Sequence, residues 1–452
     1  MSLVQITAAV IFMVMFVLIV TEKIERQWSA LLCGITMIVV VFMLLMRDMK
    51  AVVDVLAVKT IFKSTFWYQS GAGGEESLGI NWATVIFLAG MMVMVEFMAY
   101  SGFFRWLCLR LAKAVNYKPF RIFVVFMVMS AFLAMFIDSI TVILFLATVT
   151  IEIARLLSFD PVPVIIAEIF CANLGGSATM CGDPPNIVIG TSFGYSFFDF
   201  LVNTGPIAVV GLIVVLIYFS LHYKKYFKNS GIQEDIDEAD LDPRNAITNK
   251  RDFTASSIIF AIAVVLLVSH ASTGLTVATI GLGIAIITMI AAGKDLVFVL
   301  KKVDYKTLLF FIGLFVVVGG LEITGILEII AGLIAKFGGG KPMILITIVI
   351  WISAIASAFV DNIPFAATMV PIIKTLSVTQ GIDLHTLSWT LALGTDIGGC
   401  ATPIGASANV VGVALAGKSG HPISWKKFCT ASFPLMVIVV SLCTVFIFVR
   451  YL

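Results

Sequence analysis

The amino-acid sequence predicts an all-α polytopic membrane protein built from two inverted-topology repeats. Of its 452 residues, 60% are hydrophobic and 12% are charged, whereas soluble domains have about 45–50% apolar and about 25% charged residues. The apolar residues form long runs along the whole chain, and a membrane-crossing helix needs about 20 of them. Motifs containing glycine, aspartate and asparagine also recur at a constant spacing, which indicates a duplicated unit.

The apolar runs predict five membrane spans in each half of the chain. One segment of each half contains Gly-Gly and is expected to be a broken helix. Each half also has two apolar arms around an aspartate, Asp138 or Asp361, which we expect to form a re-entrant hairpin. The predicted spans are 4–22, 28–46, 82–100, 162–200 (broken), 206–222, 253–269, 274–292, 306–323, 385–416 (broken) and 430–450.

The recurring motifs lie 223 residues apart. Residues 136–141 resemble residues 359–364, and residues 175–186 resemble residues 398–409. Chance similarity between apolar helices would match leucine and valine, whereas these matches include glycine, aspartate, asparagine and threonine. The sequence therefore predicts three parts: a first membrane repeat at 1–222, a cytoplasmic polar linker at 223–252 and a second membrane repeat at 253–452.

Because five spans is an odd number, the second repeat must be inverted relative to the first. Lysine and arginine favour cytoplasmic loops. With both termini outside the cytoplasm, the outer loops 195–205, 270–274 and 377–385 have no lysine or arginine. Loop 47–80, most of which the second copy lacks, has four and disagrees. If the hairpin arms crossed the membrane fully, the span count would rise and this charge pattern would weaken.

Four aspartates lie among apolar segments, where a charged side chain is costly and commonly marks an ion path or a buried pair. They are Asp138, Asp183, Asp361 and Asp396. Asp138 and Asp361 occupy equivalent hairpin tips, which favours a functional role. Asp183 is equivalent to Ala406, so capping of the next half-helix is an alternative role for it. The position of Asp396 is also polar in the first copy.

Neutral groups surround these aspartates in both repeats. Gly175, Gly176, Gly398 and Gly399 permit a helix break, and Pro184-Pro185 suits the first turn of the following half-helix. Broken helices in transporters present free carbonyls and helix N-termini to ions. An isolated serine, threonine or asparagine in a membrane helix is commonly a packing residue, which is the alternative for each of them. The polar candidates are Ser139, Thr141, Thr179, Asn186, Asn362, Thr402, Ser407 and Asn409.

Several functional classes are disfavoured. A net charge of +2 gives no indication of nucleic-acid binding. The seven cysteines are scattered in apolar segments and predict neither disulfides nor metal ligands. Four histidines without an HExxH motif argue against an intramembrane enzyme. A passive channel remains an alternative, and it would show flux without coupling.

At these motifs the chain resembles the ion transporter superfamily, in particular its ArsB/NhaD type and the melanosomal P protein. The resemblance rests on the hairpin-tip aspartates, on Gly-Gly-x-Ala-Thr-x-x-Gly-Asp-Pro-Pro-Asn at 175–186 and on Gly-Ala-Ser-Ala-Asn-Val-Val at 405–411. The more distant divalent anion–sodium symporters have Ser-Asn-Thr at both tips, which this chain lacks. The resemblance implies elevator-like motion and a homodimer.

The leading hypothesis is a secondary active ion transporter coupled to H⁺ or Na⁺, with arsenite-type oxyanion efflux or Na⁺/H⁺ exchange as its activity. Asp138 and Asp361 would be the main coupling residues. A Na⁺-coupled di- or tricarboxylate symporter is the alternative. No organic cofactor is expected. Na⁺ could bind at Asp138, Ser139, Asp361 and Asn362. The expected partners are the lipid bilayer of a plasma or inner membrane and a small inorganic ion or small anion.

Overall fold

The computed structural model describes residues 1–21, 23–69, 78–227 and 242–452. This part of the chain is helical and contains no β-strand, apart from one isolated bridge between Tyr68 and Leu275. The predicted all-α class is therefore confirmed. Residues 70–77 of the additional first-half segment and residues 228–241 of the predicted linker lie outside the described residues.

The first half begins with two long helices and a short helical insertion. Helix α2 continues as a π-helix at Met37–Met46, and 3₁₀ turns occupy Val58–Phe62 and Lys224–Phe227. The α-helices are α1 (Leu3–Thr21), α2 (Arg26–Thr36), α3 (Met49–Leu56), α4 (Ser64–Trp67), α5 (Trp82–Ser101), α6 (Phe103–Ala114), α7 (Pro119–Ala134), α8 (Ser139–Leu156), α9 (Val162–Gly176), α10 (Pro184–Phe193), α11 (Phe197–Asn203) and α12 (Gly205–Tyr223).

The second half repeats this order without the insertion. Its 3₁₀ turns are Pro243–Ala246 and Gly293–Asp295. Its α-helices are α13 (Lys250–Thr273), α14 (Val277–Ala292), α15 (Leu296–Lys302), α16 (Tyr305–Ile323), α17 (Ile326–Gly338), α18 (Pro342–Phe359), α19 (Asn362–Gln380), α20 (Leu384–Gly399), α21 (Ser407–Lys418) and α22 (Trp425–Tyr451).

Helix boundaries follow the duplication seen in the sequence. Helices α5, α7, α8 and α10 begin 223 residues before α16, α18, α19 and α21. The packing partners follow the same duplication. Helix α5 packs on α14 and α16 packs on α2, so these contacts are exchanged between the halves, whereas α7 packs on α9 and α18 packs on α20 within each half. The two copies are therefore interleaved, and each supplies half of a shared helical frame.

Nine helices of the described part are long and apolar enough to cross a membrane. Two of these, α8 and α18, are arms of the hairpins, so length alone does not distinguish a re-entrant arm from a span. Apolar side chains such as Leu221, Ile290 and Val449 are largely exposed on the outside of the bundle, which is expected where lipid covers the surface. The re-entrant hairpins and the inversion remain predictions.

Two predicted features differ in the structure. Residues 103–114, expected in a loop, form α6, whose buried face contains Phe104, Cys108 and Ala112 while Arg105 and Lys113 are exposed. An apolar face of only three helical turns is too short to be recognised as a membrane span, but such a helix can pack that face along the surface of the bundle. The broken segment predicted at 162–200 ends with α10 at residue 193, where the left-handed Gly194 closes the helix.

Candidate functional site

The two hairpin tips bring an aspartate to the start of an inner helix in each half. Asp138 Oδ1 accepts a hydrogen bond from Thr141 N at 2.9 Å, and its Oδ2 accepts one from Thr141 Oγ1 at 2.8 Å. Asp361 Oδ1 accepts a hydrogen bond from Ile363 N at 3.1 Å. Each aspartate therefore caps the helix that follows it, which places a carboxylate at the positive end of that helix.

Asp183 joins the two tips. Its Oδ1 accepts a hydrogen bond from Ser139 Oγ at 3.0 Å, and its Oδ2 accepts one from Asn362 Nδ2 at 2.9 Å. Ser139 follows the first tip and Asn362 the second, so one carboxylate connects both repeats. Asp183 makes no side-chain capping bond to α10, although it precedes that helix. The capping alternative is therefore wrong in this arrangement.

A guanidinium that the motifs do not contain reaches the second tip. Arg26, at the start of α2, places one nitrogen 2.8 Å from Asp361 Oδ2 and 2.5 Å from Ser407 Oγ. Ser407 Oγ also donates to Asp361 Oδ2 at 2.6 Å. The Asp361 side chain is only 8% exposed. The negative charge of Asp361 is thus neutralised by Arg26, which belongs to a helix outside the hairpin.

The threonines of the breaks attach the broken helices to the hairpins. Thr179 Oγ1 donates to the carbonyl of Met135 at 2.5 Å, and Thr402 Oγ1 donates to the carbonyl of Ala358. These hydroxyls are the ones expected to face an ion. In the structure each hydroxyl instead donates to a backbone carbonyl beside a tip. Each threonine therefore fixes the position of its hairpin relative to the broken helix.

The asparagines of the breaks hold the two loops closed. Asn186 Nδ2 donates to the carbonyls of Gly176 and Thr179, and Asn409 Nδ2 donates to the equivalent carbonyls of Gly399 and Thr402. These bonds use only the N–H groups of each amide. The oxygen of Asn409 accepts from Asn173 Nδ2, whereas the oxygen of Asn186 has no hydrogen-bond partner among the described residues. The two loops are therefore closed by the same bonds in both repeats.

The Gly-Gly pairs are required for close packing. Gly175 and Gly398 are both helical, so neither uses a left-handed conformation. A Cβ atom on Gly175 would lie 2.1 Å from the Ala131 oxygen, and one on Gly398 would lie 2.4 Å from the Ala354 oxygen. Gly176 and Gly399 similarly adjoin the returning loops at residues 182 and 405. The predicted break is present, but the reason for the glycines is steric.

Asp396 lies deeper than the tips, at the end of α20. It is fully buried, and neither carboxylate oxygen has a hydrogen-bond partner. Asp183 and Asn186 are close to it. The equivalent first-half residue, Asn173, is also fully buried and donates to Asn409 Oδ1 at 2.9 Å. The polarity expected at this position in both copies is therefore present.

Two neighbouring cavities lie beside the tips: one is lined by Asp138, and the other by the Arg26 and Ser407 side chains that contact Asp361. Asp138 and Thr141 line the first together with Glu96, Lys302 and Asp304. The second runs from residues 23–27 to Ser407 and shares Asp304 with the first. The loops before α2 and α16 surround this entrance. The candidate site is therefore open towards the side of the membrane on which those two loops lie.

A surface ion pair lies at the rim of this entrance. Lys306 Nζ is 2.7 Å from Glu25 Oε1, and both side chains are more than half exposed. The hydrogen bond from Lys306, together with one from Gln27, holds the pKa of the Glu25 carboxyl below its ordinary value. The carboxylate therefore stays charged at neutral pH and pairs with the lysine instead of adding net charge to the entrance.

The profile of the citrate transporter family (CitMHS) matches residues 16–394. The chain belongs to the citrate transporter family. The 46 kDa membrane protein of Mycobacterium leprae is 33% identical over 382 residues, which cover 83% of this chain and 87% of that protein. The human P protein is 27% identical over 441 residues, which cover 79% of this chain but only 52% of the P protein.

Solved structures support the same assignment at the level of fold. The YdaH transporter of Alcanivorax borkumensis has a TM-score of 0.59 at 12% identity, covering 90% of this chain and 89% of that one. MtrF of Neisseria gonorrhoeae has a TM-score of 0.56 at 13% identity, covering 91% and 86%. The predicted superfamily resemblance is confirmed. As a member of the citrate transporter family, the chain is a multi-pass membrane transporter and not an enzyme.

Sequence reasoning missed the contact of Arg26 with the second tip of this transporter. Arg26 stands four residues after a predicted span, where the charge rule assigns a basic residue to a loop. Its pairing with Asp361 depends on how the second hairpin meets α2, and no local motif records that contact. The only indication in the sequence was that a buried carboxylate at a hairpin tip requires a cation nearby.

Proposed function

We propose that this transporter is a secondary active ion transporter coupled to H⁺ or Na⁺, with its binding site between the hairpin tips around Asp183. The observation behind this proposal is the excess of acidic over basic side chains at that site. In the part of the chain that the structure describes, the tips and the cavities beside them hold six acids and four bases. The acids are Asp138, Asp183, Asp361, Glu96, Asp304 and Glu25, and the bases are Arg26, Lys302, Lys23 and Lys306. Such an excess of negative charge favours a cation and disfavours a free polyanion.

This balance favours Na⁺/H⁺ exchange over oxyanion efflux. A Na⁺ ion fits better at the first tip than at the second. Asp138 is half-buried and faces the open cavity, whereas Asp361 is already paired with Arg26. We therefore expect cation binding to be asymmetric between the repeats, on the first-half side. Elevator-like movement, a homodimer and termini on the non-cytoplasmic side complete the proposal.

The experiment is transport by purified protein in proteoliposomes. An imposed Na⁺ gradient should change the pH of the lumen in a direction set by the gradient, as read by an entrapped pH dye. An imposed pH gradient should drive ²²Na⁺ uptake. Asp138→Asn should reduce both fluxes at least tenfold. Asp160→Asn is a matched control. Asp160 is partly exposed at the base of the hairpin and pairs only loosely, at 3.5 Å, with Lys427, and an asparagine oxygen can still accept its hydrogen bond from Val162 N. Equal fluxes in empty liposomes, or an unaffected Asp138→Asn variant, would contradict this function.

One observation favours a second candidate, cation-coupled uptake of a di- or tricarboxylate. Arg26 and Ser407 place a guanidinium and a hydroxyl together at the second tip. These two donors together can bind both oxygens of a carboxylate. The family description names citrate. Uptake of ¹⁴C-citrate that requires a cation and is lost in Arg26→Lys would favour this candidate over ion exchange.

A further inference from the structure

Two polar pairs occupy equivalent places where the broken helices α9 and α20 meet. In one pair, Asn173 Nδ2 donates to Asn409 Oδ1 at 2.9 Å. The residues at the same positions of the opposite repeat are Asp396 and Asn186, which lie beside each other. All four side chains are fully buried. The pairs therefore differ by one chemical change, a carboxyl in place of an amide.

The orientation of the asparagine amides is fixed by their own bonds. Asn186 Nδ2 donates to two carbonyls at 3.1 and 3.2 Å, and Asn409 Nδ2 donates to two carbonyls at 2.7 Å each. Reversing either amide would turn an oxygen towards two other oxygens. The Oδ1 atoms must therefore point away from the loops and towards the residue at position 173 or 396.

The second pair consequently brings acceptor against acceptor. Asn409 Oδ1 has the donor it needs in Asn173. Asn186 Oδ1 has no partner, and neither do the two carboxylate oxygens of Asp396. A buried carboxylate without a donor or cation is strongly unfavourable. One hydrogen on Asp396 removes the conflict, because the acid can then donate to Asn186 Oδ1 as Asn173 donates to Asn409.

We propose that Asp396 is the residue that carries the coupling proton, held in a hydrogen bond to Asn186 Oδ1. The inference rests on the proposed function, since it names the proton site of that transport cycle. Asp183 is the charged group that faces Asp396. The thiols of Cys400, directly after α20, and of Cys171 on α9 lie nearby. Helix α18 presents Ser353 and Ser357 to α20.

The position of Asp183 links this proton to the tips. Asp183 is bonded to both tips through Ser139 and Asn362. While Asp183 is negative and uncompensated, a second charge on Asp396 is repelled, so the proton stays on Asp396. A cation bound at the tips weakens that repulsion and lets the proton leave. Cation binding and proton release are thereby opposed, which is the requirement for exchange.

Asp396→Asn tests the proposal, because it installs the residue that the other repeat has at this place. Its amide can donate to Asn186 Oδ1, so we expect a melting temperature equal to or above that of the wild type. Glu168→Gln is the matched control. Glu168 is also fully buried, with Thr150 bonded to Oε1 and no partner for Oε2, but it lies away from the tips.

Two readouts separate the proposal from the proposed function. Infrared spectroscopy measures the carboxylic-acid C=O band and its shift in D₂O, and proteoliposomes measure proton movement under a Na⁺ gradient. We expect Asp396→Asn to lose part of the band and to reduce proton movement at least tenfold, whereas Glu168→Gln loses part of the band and keeps proton movement. We also expect Na⁺ added at constant pH to weaken the Asp396 band, because the proton leaves when the cation binds. An undiminished band in Asp396→Asn, retained proton movement in that variant, or an Asp396 band that Na⁺ leaves unchanged would overturn the proposal. If the wild type shows no coupled flux, the proposed function fails and the band alone decides whether Asp396 holds a proton.

Discussion

The guanidinium of Arg26 lies 2.8 Å from the carboxylate of Asp361, although 335 residues separate them in the chain. The pair joins the start of α2 to the tip of the second hairpin. If the hairpins move relative to the outer helices during transport, this contact must break or change. It is therefore both a stabilising contact of the observed arrangement and a contact that the transport cycle has to disrupt.

Replacing Arg26 by alanine should destabilise the protein and impair transport. Asp361 would lose its cation while remaining nearly buried, at a cost of about 1–3 kcal/mol. We expect the lower part of that range, because the Arg26 side chain is 32% exposed and solvent screens the pair. Thermal unfolding in detergent measures the change. Arg105→Ala is the control, since the Arg105–Glu152 pair is well exposed on both sides; an equal loss in both variants would contradict a special role for Arg26.

Asp183→Asn should abolish transport with a moderate loss of stability. The amide can keep both contacts only with its oxygen towards Asn362 and its N–H group donating to Ser139 Oγ, so two hydrogen bonds to a charged group become weaker neutral ones, a loss of about 1–3 kcal/mol. Flux in proteoliposomes and thermal unfolding measure the two effects. Ser139→Ala removes one donor and leaves the charge, so it should retain measurable flux. Full activity of Asp183→Asn would show that the bridge between the tips is dispensable.

Gly398→Ala should destabilise the protein by about 1–3 kcal/mol or more, because its Cβ would meet the backbone of Ala354 at 2.4 Å. Gly283→Ala is a matched control in the interior of α14, where a Cβ would have no neighbour within 4 Å. That change should be neutral or stabilise the helix by up to about 1 kcal/mol. The melting temperatures of the two variants should therefore move in opposite directions, or at least differ clearly. Similar values would mean that α18 and α20 can separate without cost.

Single cysteines can show which side of the membrane the entrance faces. In a Cys429→Ser background, where the other six native cysteines are buried, Lys306→Cys should react with a membrane-impermeant thiol reagent from one side only. With both termini outside, that side is the cytoplasm, and labelling should occur in inside-out vesicles. Thr273→Cys, at the other end of the bundle, should give the opposite result. Labelling of Lys306→Cys from outside whole cells would reverse the predicted topology.

The sequence predicted the helices well because each depends on local information. Apolar runs placed α5 and α16 within a residue or two, and prolines placed the start of α10. The constant spacing of the motifs also identified Asn186 and Asn409 as equivalent residues, though not the carbonyls to which they donate. Repetition at this spacing is visible without any knowledge of three-dimensional contacts.

The arrangement of the site could not be predicted in the same way. Thr179 and Thr402 were expected to offer oxygens to an ion, whereas their hydroxyls donate to carbonyls beside the tips. Which of several nearby groups a hydroxyl chooses depends on packing at the scale of one ångström. Arg26 and Asn173 act through partners more than 200 residues away, and such pairings follow from the fold and not from spacing.

The Arg26–Asp361 pair has an energetic consequence for the transport cycle. If the two repeats are inverted as predicted, a change of access that moves one repeat against the other would exchange the roles of the two halves. In the exchanged arrangement, Asp138 would meet the start of α14, which is Val277, and valine offers no charge. In that cycle the two access states would therefore be unequal in free energy. A difference of about 1.4 kcal/mol corresponds to a tenfold population ratio. Without a bound ion, the state whose entrance lies on the Arg26 side should therefore be the more populated one, and ion binding should increase the population of the opposite state.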